Sequence, residues 1–555
     1  MGTDDFQATT SRITPRQRRW LWLVAAVLVV AHLACVNNQW YPSPDSALYV
    51  ALGRSIAEGD GYVFNGQVDN TVTPGLPIVI AGARLFTGGE GWWLCNALIT
   101  ATGFVALGYI WAVLRRLLPS DTGAWPPPAR PREALLSLAP APLAAAITTL
   151  MLAGSHLFFL HAHYLLTDVP FIALAWAALY AALRASRGHV AWLAVTVLLS
   201  VAAMTIRAPM VPFLSLLAVG VALQPLPGPV PSPAWRRWLA GGVLLAGTLG
   251  TVAFWYVWGR SMGPLPYVES ASQNAAAFST RVAGAAWALA GIMSTLLVSN
   301  TDVPWMGIIG WAVSMLGLAV LWRRGLRLGL LVVVPYTLFI AVTRREEIPE
   351  RYLLPVAPLL YLGLVQGAWS IAMAVGHHAR SRRQRGAPSM AAPDAPITRT
   401  PLIVLFLLLA IVLIPNAGRI GSLAYRMAYL AHTDSYDNAR GGFIREHKEI
   451  AELTRALPED SPFIAPRGPG RIVHYYSRRP FLQLPLQIGE SLDADTAQRF
   501  WAFWQGNPDI PLIVLPWPDQ DRSEKFSDYT NRLSELFANQ HELHRGKQSI
   551  VFERS

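Results

Sequence analysis

A carboxylate can take a proton from an attacking hydroxyl, and a guanidinium can grip phosphate oxygens through two parallel hydrogen bonds. Both groups are scarce in a 555-residue sequence of which 14% is charged and 53% hydrophobic. The ones that border its apolar runs therefore stand out: Asp45 in PSPDSALYV, Asp168 in LLTDVPF, Arg207 in MTIRAPM, and Arg344, Arg345 and Arg351 in TRREEIPERY. A carboxylate and several guanidiniums at one depth suit a substrate with a lipid tail and a phosphate head. Capping roles compete locally: Ser43 can cap a helix starting at Pro44, with Asp45 a first-turn acid, and Asp168 beside Thr167 and Pro170 has the same reading. His161 and His163, with His156 and Asp168 nearby, raise metal binding. Residues two apart face one way only in an extended segment, and three ligands of fitting geometry are not evident. Interfacial anchoring accounts for these histidines, and no metal is assigned.

These residues share a site only if the chain brings them to one side of a membrane. Apolar runs of the roughly 20 residues that a bilayer core requires recur from residue 20 to residue 415. The formal charge of +11 comes mostly from Arg at the ends of these runs, with only three Lys (Lys448, Lys525, Lys547) near the C-terminus. That is the bias that keeps cations inside the cell, so nucleic-acid binding is excluded as an explanation of the charge. Cys35 and Cys95 form no framework and no redox motif.

Arg16, Arg18 and Arg19 place the N-terminus in the cytoplasm, and a retained first span over residues 20–36 delivers residues 37–77 outside. In this first external loop Leu48, Leu52 and Ile56 recur at helical spacing, with Arg54 and Glu58 four apart, which predicts an interfacial helix. Residues 76–86 are too short to cross and carry Arg84, so they read as interfacial or re-entrant. Following the Arg clusters gives about 11 spans, a second external loop at 259–303 and a strong cytoplasmic marker, HHARSRRQR, at 377–385. Asp45, Asp168, Arg207 and the group Arg344, Arg345 and Arg351 then all fall at outer boundaries. The last group breaks the inside bias, and charge in that position has a role or a partner, with Glu346, Glu347 and Glu350 as the simple neutralising candidates.

Beyond Pro415 the composition turns soluble. PFIAPR, RIVHYYSRRPFLQLP, PLIVLPWP and SIVFERS read as short strands, DTAQRFWAFWQ and SDYTNRLSELFANQ as amphipathic helices. The expected fold class is a polytopic α-helical membrane protein with a C-terminal extracytoplasmic α/β domain, divided at 1–416 and 417–555. No GxGxxG or P-loop accompanies the strands, so a nucleotide site is unsupported.

The order PDSALYVALGRSIAEGDGY, TVTPGL, LLTDVPFIALAW, AAMTIRAPM and IPERYLLPVAPLLYL, over roughly residues 15–420, resembles the GT-C superfamily of glycosyltransferases. The likeness is to bacterial relatives of protein O-mannosyltransferases and to the aminoarabinose transferases that modify lipid A. It implies a multi-pass enzyme of the bacterial inner membrane that moves a sugar, with inversion, from a polyprenyl-phosphate donor to an acceptor outside the cytoplasm. By that likeness Asp45 is the general base and Asp168 shapes the acceptor or sugar site. Arg207 and Arg351, with Tyr352, hold the lipid phosphate, supported by Arg344 and Arg345. Tyr49, Thr73 and His163 fall at the sugar or acceptor. Two departures stand out: Ser46 follows Asp45 where relatives often carry a second acid, which weakens metal dependence, and Thr73 replaces a common basic residue, which shifts phosphate binding to Arg207 and the 344–351 group. No cofactor is implied beyond a possible divalent metal.

A lipid or sugar transporter of the cell envelope is the alternative, because charges at membrane depth also mark transport paths. It is disfavoured by the lack of an inverted repeat and of matching broken helices. A scaffold presenting the C-terminal domain would need none of the outer acids and arginines.

Overall fold

The computed structural model describes residues 15–118, 131–225, 232–261, 282–298, 300, 303–343, 350–385, 400–428, 443–458, 460–484, 494–516, 527–545 and 549–554. Arg344 and Arg345 lie outside the described residues, as do parts of the second external loop.

The membrane part begins with α1 (Pro15–Ala34) and the loop expected to be the first external one. That loop holds α2 (Pro44–Glu58), the two-stranded hairpin β1 (Val63–Phe64) and β2 (Gln67–Val68), and α3 (Gly75–Thr87). Next come α4 (Trp92–Leu117), the short α5 (Pro131–Leu135), α6 (Ala141–Ala153), α7 (His156–His161), α8 (Asp168–Ser186) and α9 (Ala191–Ile206). A 3-10 turn, Ala208–Met210, leads into α10 (Val211–Leu223), followed by α11 (Ala234–Ser261), α12 (Val282–Val298), α13 (Pro304–Arg323) and α14 (Leu328–Thr343). A second 3-10 turn, Glu350–Leu353, precedes α15 (Ala357–Arg385) and α16 (Thr400–Ala428).

Among the described residues, α4, α8, α11, α13, α16 and the 357–379 part of α15 are long and apolar enough to cross a membrane. The other apolar helices are shorter because proline, glycine and a buried arginine break them: Pro140 and Gly154 bound α6, and Arg207 with Pro209 separates α9 from α10. Leu48 and Leu52 are fully buried, so α2 packs against protein rather than lying open on an interface. Helix α12 likewise puts Ile292, Met293 and Leu296 into the main core.

Helix α8 is apolar on every side and almost entirely buried, as a helix at the centre of a bundle must be. Peripheral helices instead show bare apolar rows, such as Trp22, Val27 and Val30 on α1, Phe254 and Val257 on α11, and Ile411 and Ile414 on α16. In water such surfaces would associate; facing lipid they need no partner. Helices α13 and α15 approach so closely that a Cβ at Gly317 would fall 1.8 Å from the carbonyl oxygen of Gly363, the small-residue contact that draws membrane helices together.

The C-terminal domain follows α16 with α17 (Phe443–Arg455), β3 (Phe463–Ala465), α18 (Arg467–Ser477), β4 (Phe481–Gln483), α19 (Ala494–Gln505), β5 (Leu512–Pro516), α20 (Ser527–Leu536), β6 (His541–Arg545) and β7 (Ser549–Glu553). The sheet order is β4-β3-β5-β7-β6. Strand β3 runs parallel to β4 and β5, whereas β7 is antiparallel to β5 and β6. Phe500, Trp504, Tyr529 and Phe537 fill one side of the sheet. Most of the expected strands are present, but RIVHYYS is the second half of α18, not a strand. Its β-branched and aromatic residues favour a strand in isolation. Ile472 and Tyr475 are instead buried one helical step apart in a cluster with Trp40, Tyr41 and Tyr49 of the first loop, and that packing outweighs propensity.

The hairpin and α2 hold this domain to the membrane part. Asn65, at the hairpin tip with φ 55°, donates from its side-chain amide to the carbonyl of Phe481 and accepts from the Phe481 amide, each at 2.8 Å. Arg54 and Glu58 do not pair with each other. Arg54 donates to the carbonyl of Tyr475 and to Glu90, while Glu58 meets Arg478 and Arg84. A helical i,i+4 pair gains only a few tenths of a kcal/mol, ~0.3–0.5, so partners across the seam displace it easily.

Candidate active site

Ser43 is the N-cap of α2 and forms a reciprocal capping box with Ser46, with Pro44 in the first turn. The cap fixes the start of the helix and turns Asp45 outward, its side chain 36% exposed. Capping and a chemical role are thus compatible: Ser43 and Ser46 satisfy the helix end, and the Asp45 carboxylate is left for partners elsewhere.

Those partners come from the far end of the chain. Arg351, from the 3-10 turn before α15, donates through Nη2 to Asp45 Oδ2 at 2.7 Å. Arg471, on α18 of the C-terminal domain and nearly buried, brings Nη1 to 3.6 Å from Asp45 Oδ1. Burial alone would raise the Asp45 carboxyl. The charge and hydrogen bond of Arg351, with the charges of Arg471 and Arg207, outweigh it and hold the group below the usual carboxylate range.

A second acid–arginine pair lies deeper. Arg207 is placed by the break between α9 and α10, and its Nη1 is 2.7 Å from Asp168 Oδ1. The Asp168 side chain is 3% exposed and Arg207 10%, so each supplies the counter-charge that makes burial of the other tolerable. Arg207 also donates to Thr167 Oγ1 at 2.9 Å, and His161 Nδ1 stands 3.5 Å from the other Asp168 oxygen.

Tyr352 and Tyr49 join the two pairs. The Tyr352 ring lies 5.4 Å from the Arg207 guanidinium and 5.9 Å from that of Arg351. Its main chain is fixed by Tyr336, whose hydroxyl donates to the Tyr352 carbonyl at 2.9 Å. Tyr49, one turn after Asp45 on α2, brings its hydroxyl to 3.5 Å from Thr167 Oγ1.

Asp45, Tyr49, Asp168, Arg207, Arg351 and Tyr352 are therefore brought together. Thr73 is buried beside Pro74 and Gly75, and a Cβ at Gly75 would come 2.7 Å from the carbonyl oxygen of Thr205, so this turn rests on the end of α9 that presents Arg207. His163 goes elsewhere: it shares a 3.1 Å hydrogen bond with His32 and lies 3.3 Å from Thr100 Oγ1. Glu350 accepts from Thr295 at 3.1 Å. Sequence reasoning missed Arg471 and Thr167. A helical reading of RGPGRIVHYYS would have aligned Arg471 with Tyr475 on one face of α18.

Three guanidiniums face two carboxylates here, a local excess of one positive charge that favours an anion. A cavity of about 390 Å³ opens between the first loop and the C-terminal domain, lined by Trp40, Arg54, Glu90, Trp92, Tyr475 and Arg478 among others and by none of these charged site residues.

No protein-family model matches the chain, and no curated protein matches it significantly. Among solved structures, ArnT from Cupriavidus metallidurans in the apo state superposes with a TM-score of 0.52 at 13% identity, covering 96% of this chain and 98% of that one. ArnT from the same organism bound to undecaprenyl phosphate gives 0.50 at 14% identity, covering 96% and 97%. ArnT, a lipid A aminoarabinose transferase, is a GT-C protein. The chain thus has the GT-C fold implied by its motif order, a multi-pass helical membrane domain followed by a sheet domain.

Proposed function

We propose that this chain is an inverting glycosyltransferase of a bacterial inner membrane, moving a sugar from a polyprenyl-phosphate donor to an acceptor outside the cytoplasm. The observation that carries the reading is the meeting of two acid–arginine pairs at Tyr352, with one acid accessible and one buried. The likeness in fold to an ArnT structure bound to undecaprenyl phosphate supports the class of donor.

In this reading the donor phosphate lies against Arg351 and Arg207. Its charge competes with Asp45 for Arg351, and the guanidinium swings from carboxylate to phosphate. Asp45, released on one oxygen, takes the proton of the acceptor hydroxyl as the new bond forms at the anomeric carbon. The bond from that carbon to the phosphate oxygen breaks, the electron pair stays on the phosphate, and the arginines stabilise the growing charge without protonating it. Base and leaving group stand on opposite faces of the sugar, which inverts the configuration. Asp168 keeps Arg207 charged and aimed, and acts through it.

The test is transfer by the purified full-length protein in nanodiscs. Labelled polyprenyl-phosphate sugars would be the donors and bacterial envelope fractions the acceptor source. The expected result is label moved to an envelope component by the wild type and lost with Asp45→Asn. Undiminished transfer by Asp45→Asn removes Asp45 as the base. In a parallel assay with sealed proteoliposomes, passage of the labelled lipid across the bilayer without transfer would favour the transporter reading instead.

A further inference from the structure

We infer that the C-terminal domain completes the site through Arg471, which keeps the Asp45 carboxylate in place on Oδ1 while Arg351 leaves Oδ2 for the donor phosphate. The inference rests on the reading of Asp45 as the base and gives the appended domain a part in the chemistry.

The two guanidiniums divide the carboxylate between them, Arg351 on Oδ2 at 2.7 Å and Arg471 nearest Oδ1 at 3.6 Å. A carboxylate held on both oxygens is a weak base, and one held on neither is free to turn about its side-chain torsions. Losing only Arg351 solves both problems: Oδ2 is bared, and Oδ1 stays directed by Arg471. The proton then passes from the acceptor hydroxyl to Oδ2.

Arg471 is suited to stay behind. Its side chain is 8% exposed, against 25% for Arg351, and it sits mid-helix on α18. Helix α18 runs along α2 and meets it at three levels: Gly468 against Pro44, Arg471 at Asp45, and the Tyr475 carbonyl accepting from Arg54 at 3.0 Å. Tyr475 also donates to Glu90 at 2.8 Å. Arg351, in contrast, sits on the four-residue 3-10 turn Glu350–Leu353 and shares the Tyr352 ring with Arg207, so its guanidinium has a second anion-binding partner beside it. The charged groups facing Asp45 are Arg351 from the 3-10 turn, Arg471 from α18 and, farther off, Arg207 from the end of α9.

A merely structural Arg471 would stitch the seam and no more, and the experiment must tell the two apart. Transfer by full-length Arg471→Met, Arg471→Lys, Asp45→Asn and the seam variant Tyr475→Phe would be followed across pH in nanodiscs. Arg471→Met is expected to lower kcat about 100-fold, the scale of a misplaced catalytic group, with the donor KM unchanged. It should also move the acid limb of the kcat profile upward, because a cation beside Asp45 is gone. Arg471→Lys should recover part of both, and Tyr475→Phe should leave the acid limb where it is. If Arg471→Met cannot be purified, Arg471→Lys carries the test through its own smaller upward shift. The inference is overturned if Asp45→Asn is inactive while the Arg471 variants keep wild-type kcat and acid limb, or if Tyr475→Phe matches their losses. If Asp45→Asn stays active, it is the base reading that falls.

Discussion

A guanidinium nitrogen of Arg351 lies 2.7 Å from a carboxylate oxygen of Asp45, although 306 residues separate the two in sequence. Each holds the other in its charged form. The pair therefore stores the base and a phosphate ligand together until a third charge separates them.

Substituting the two partners should have different signatures. Asp45→Asn removes the proton acceptor but keeps shape and polarity, so kcat should fall by about 10²- to 10⁴-fold, the usual contribution of a general base, with little change in donor affinity. Arg351→Met should weaken the donor as well, raising its KM. Steady-state transfer kinetics over a range of donor lipid separates these, and equal KM values for the two variants would dissociate Arg351 from phosphate binding.

Arg207 and Asp168 are predicted to be a stability pair as much as a functional one. Arg207→Met leaves the Asp168 carboxylate buried without its cation, a loss on the order of 3–5 kcal/mol. The double variant Arg207→Met/Asp168→Asn should recover much of that. Thermal unfolding in detergent measures the cycle, and additive losses would mean that the two side chains do not depend on each other.

Acid should open the seam between first loop and C-terminal domain. The Asp45 carboxyl is depressed as described. Burial would raise that of Glu90, but the Tyr475 hydroxyl, Arg54 and Arg84 depress it too. For depressed carboxyls the stabilisation is full above the unfolded value, about 4, and is lost as pH falls through the folded one. Protease release of the C-terminal domain should thus be unchanged from pH 7 to about 5 and rise steeply below about 4. Release that began between pH 7 and 6 would point to groups other than these acids.

Gly75 should tolerate no side chain. A Cβ there meets the Thr205 carbonyl at 2.7 Å and the Ile206 side chain at 2.8 Å, both just ahead of Arg207. Gly75→Ala should cost about 1–3 kcal/mol of stability and depress transfer by moving the end of α9. Gly82→Ala, which meets nothing within 4 Å, should affect neither.

What could be read beforehand follows from which signals are local. Six of the roughly 11 expected spans are helices of crossing length among the described residues, legible because a bilayer imposes a length and the Arg bias a direction. Those expected at 135–153, 190–205, 210–223 and 328–342 form helices of only 13 to 16 residues. The same two rules put Asp45, Asp168, Arg207 and Arg351 on one side, and folding brings these four to adjoining pairs. Arg471 was hidden because its segment is rich in β-branched and aromatic residues and became helical only through contact with α2. The i,i+4 spacing of Arg54 and Glu58 misdirected for a related reason: local pairs of that kind are weak, and Tyr475, Glu90 and Arg478 from distant segments outbid them. His163 resembled a site residue by proximity in sequence to Asp168, yet the turn after α7 sends it to His32.

The sheet of the C-terminal domain ends in two edges, and the chain treats them differently. Strand β6, HELHR, carries charged and histidine side chains along its length, which discourages another strand from joining it. Strand β4, FLQ, has no such charges; the Phe481 amide and carbonyl are both occupied by Asn65, a residue of the membrane part. A fragment cut free near residue 430 would bare that edge to other copies of itself. The hairpin tip therefore serves as a built-in guard against self-association, and it works only while the two halves of the protein remain one chain.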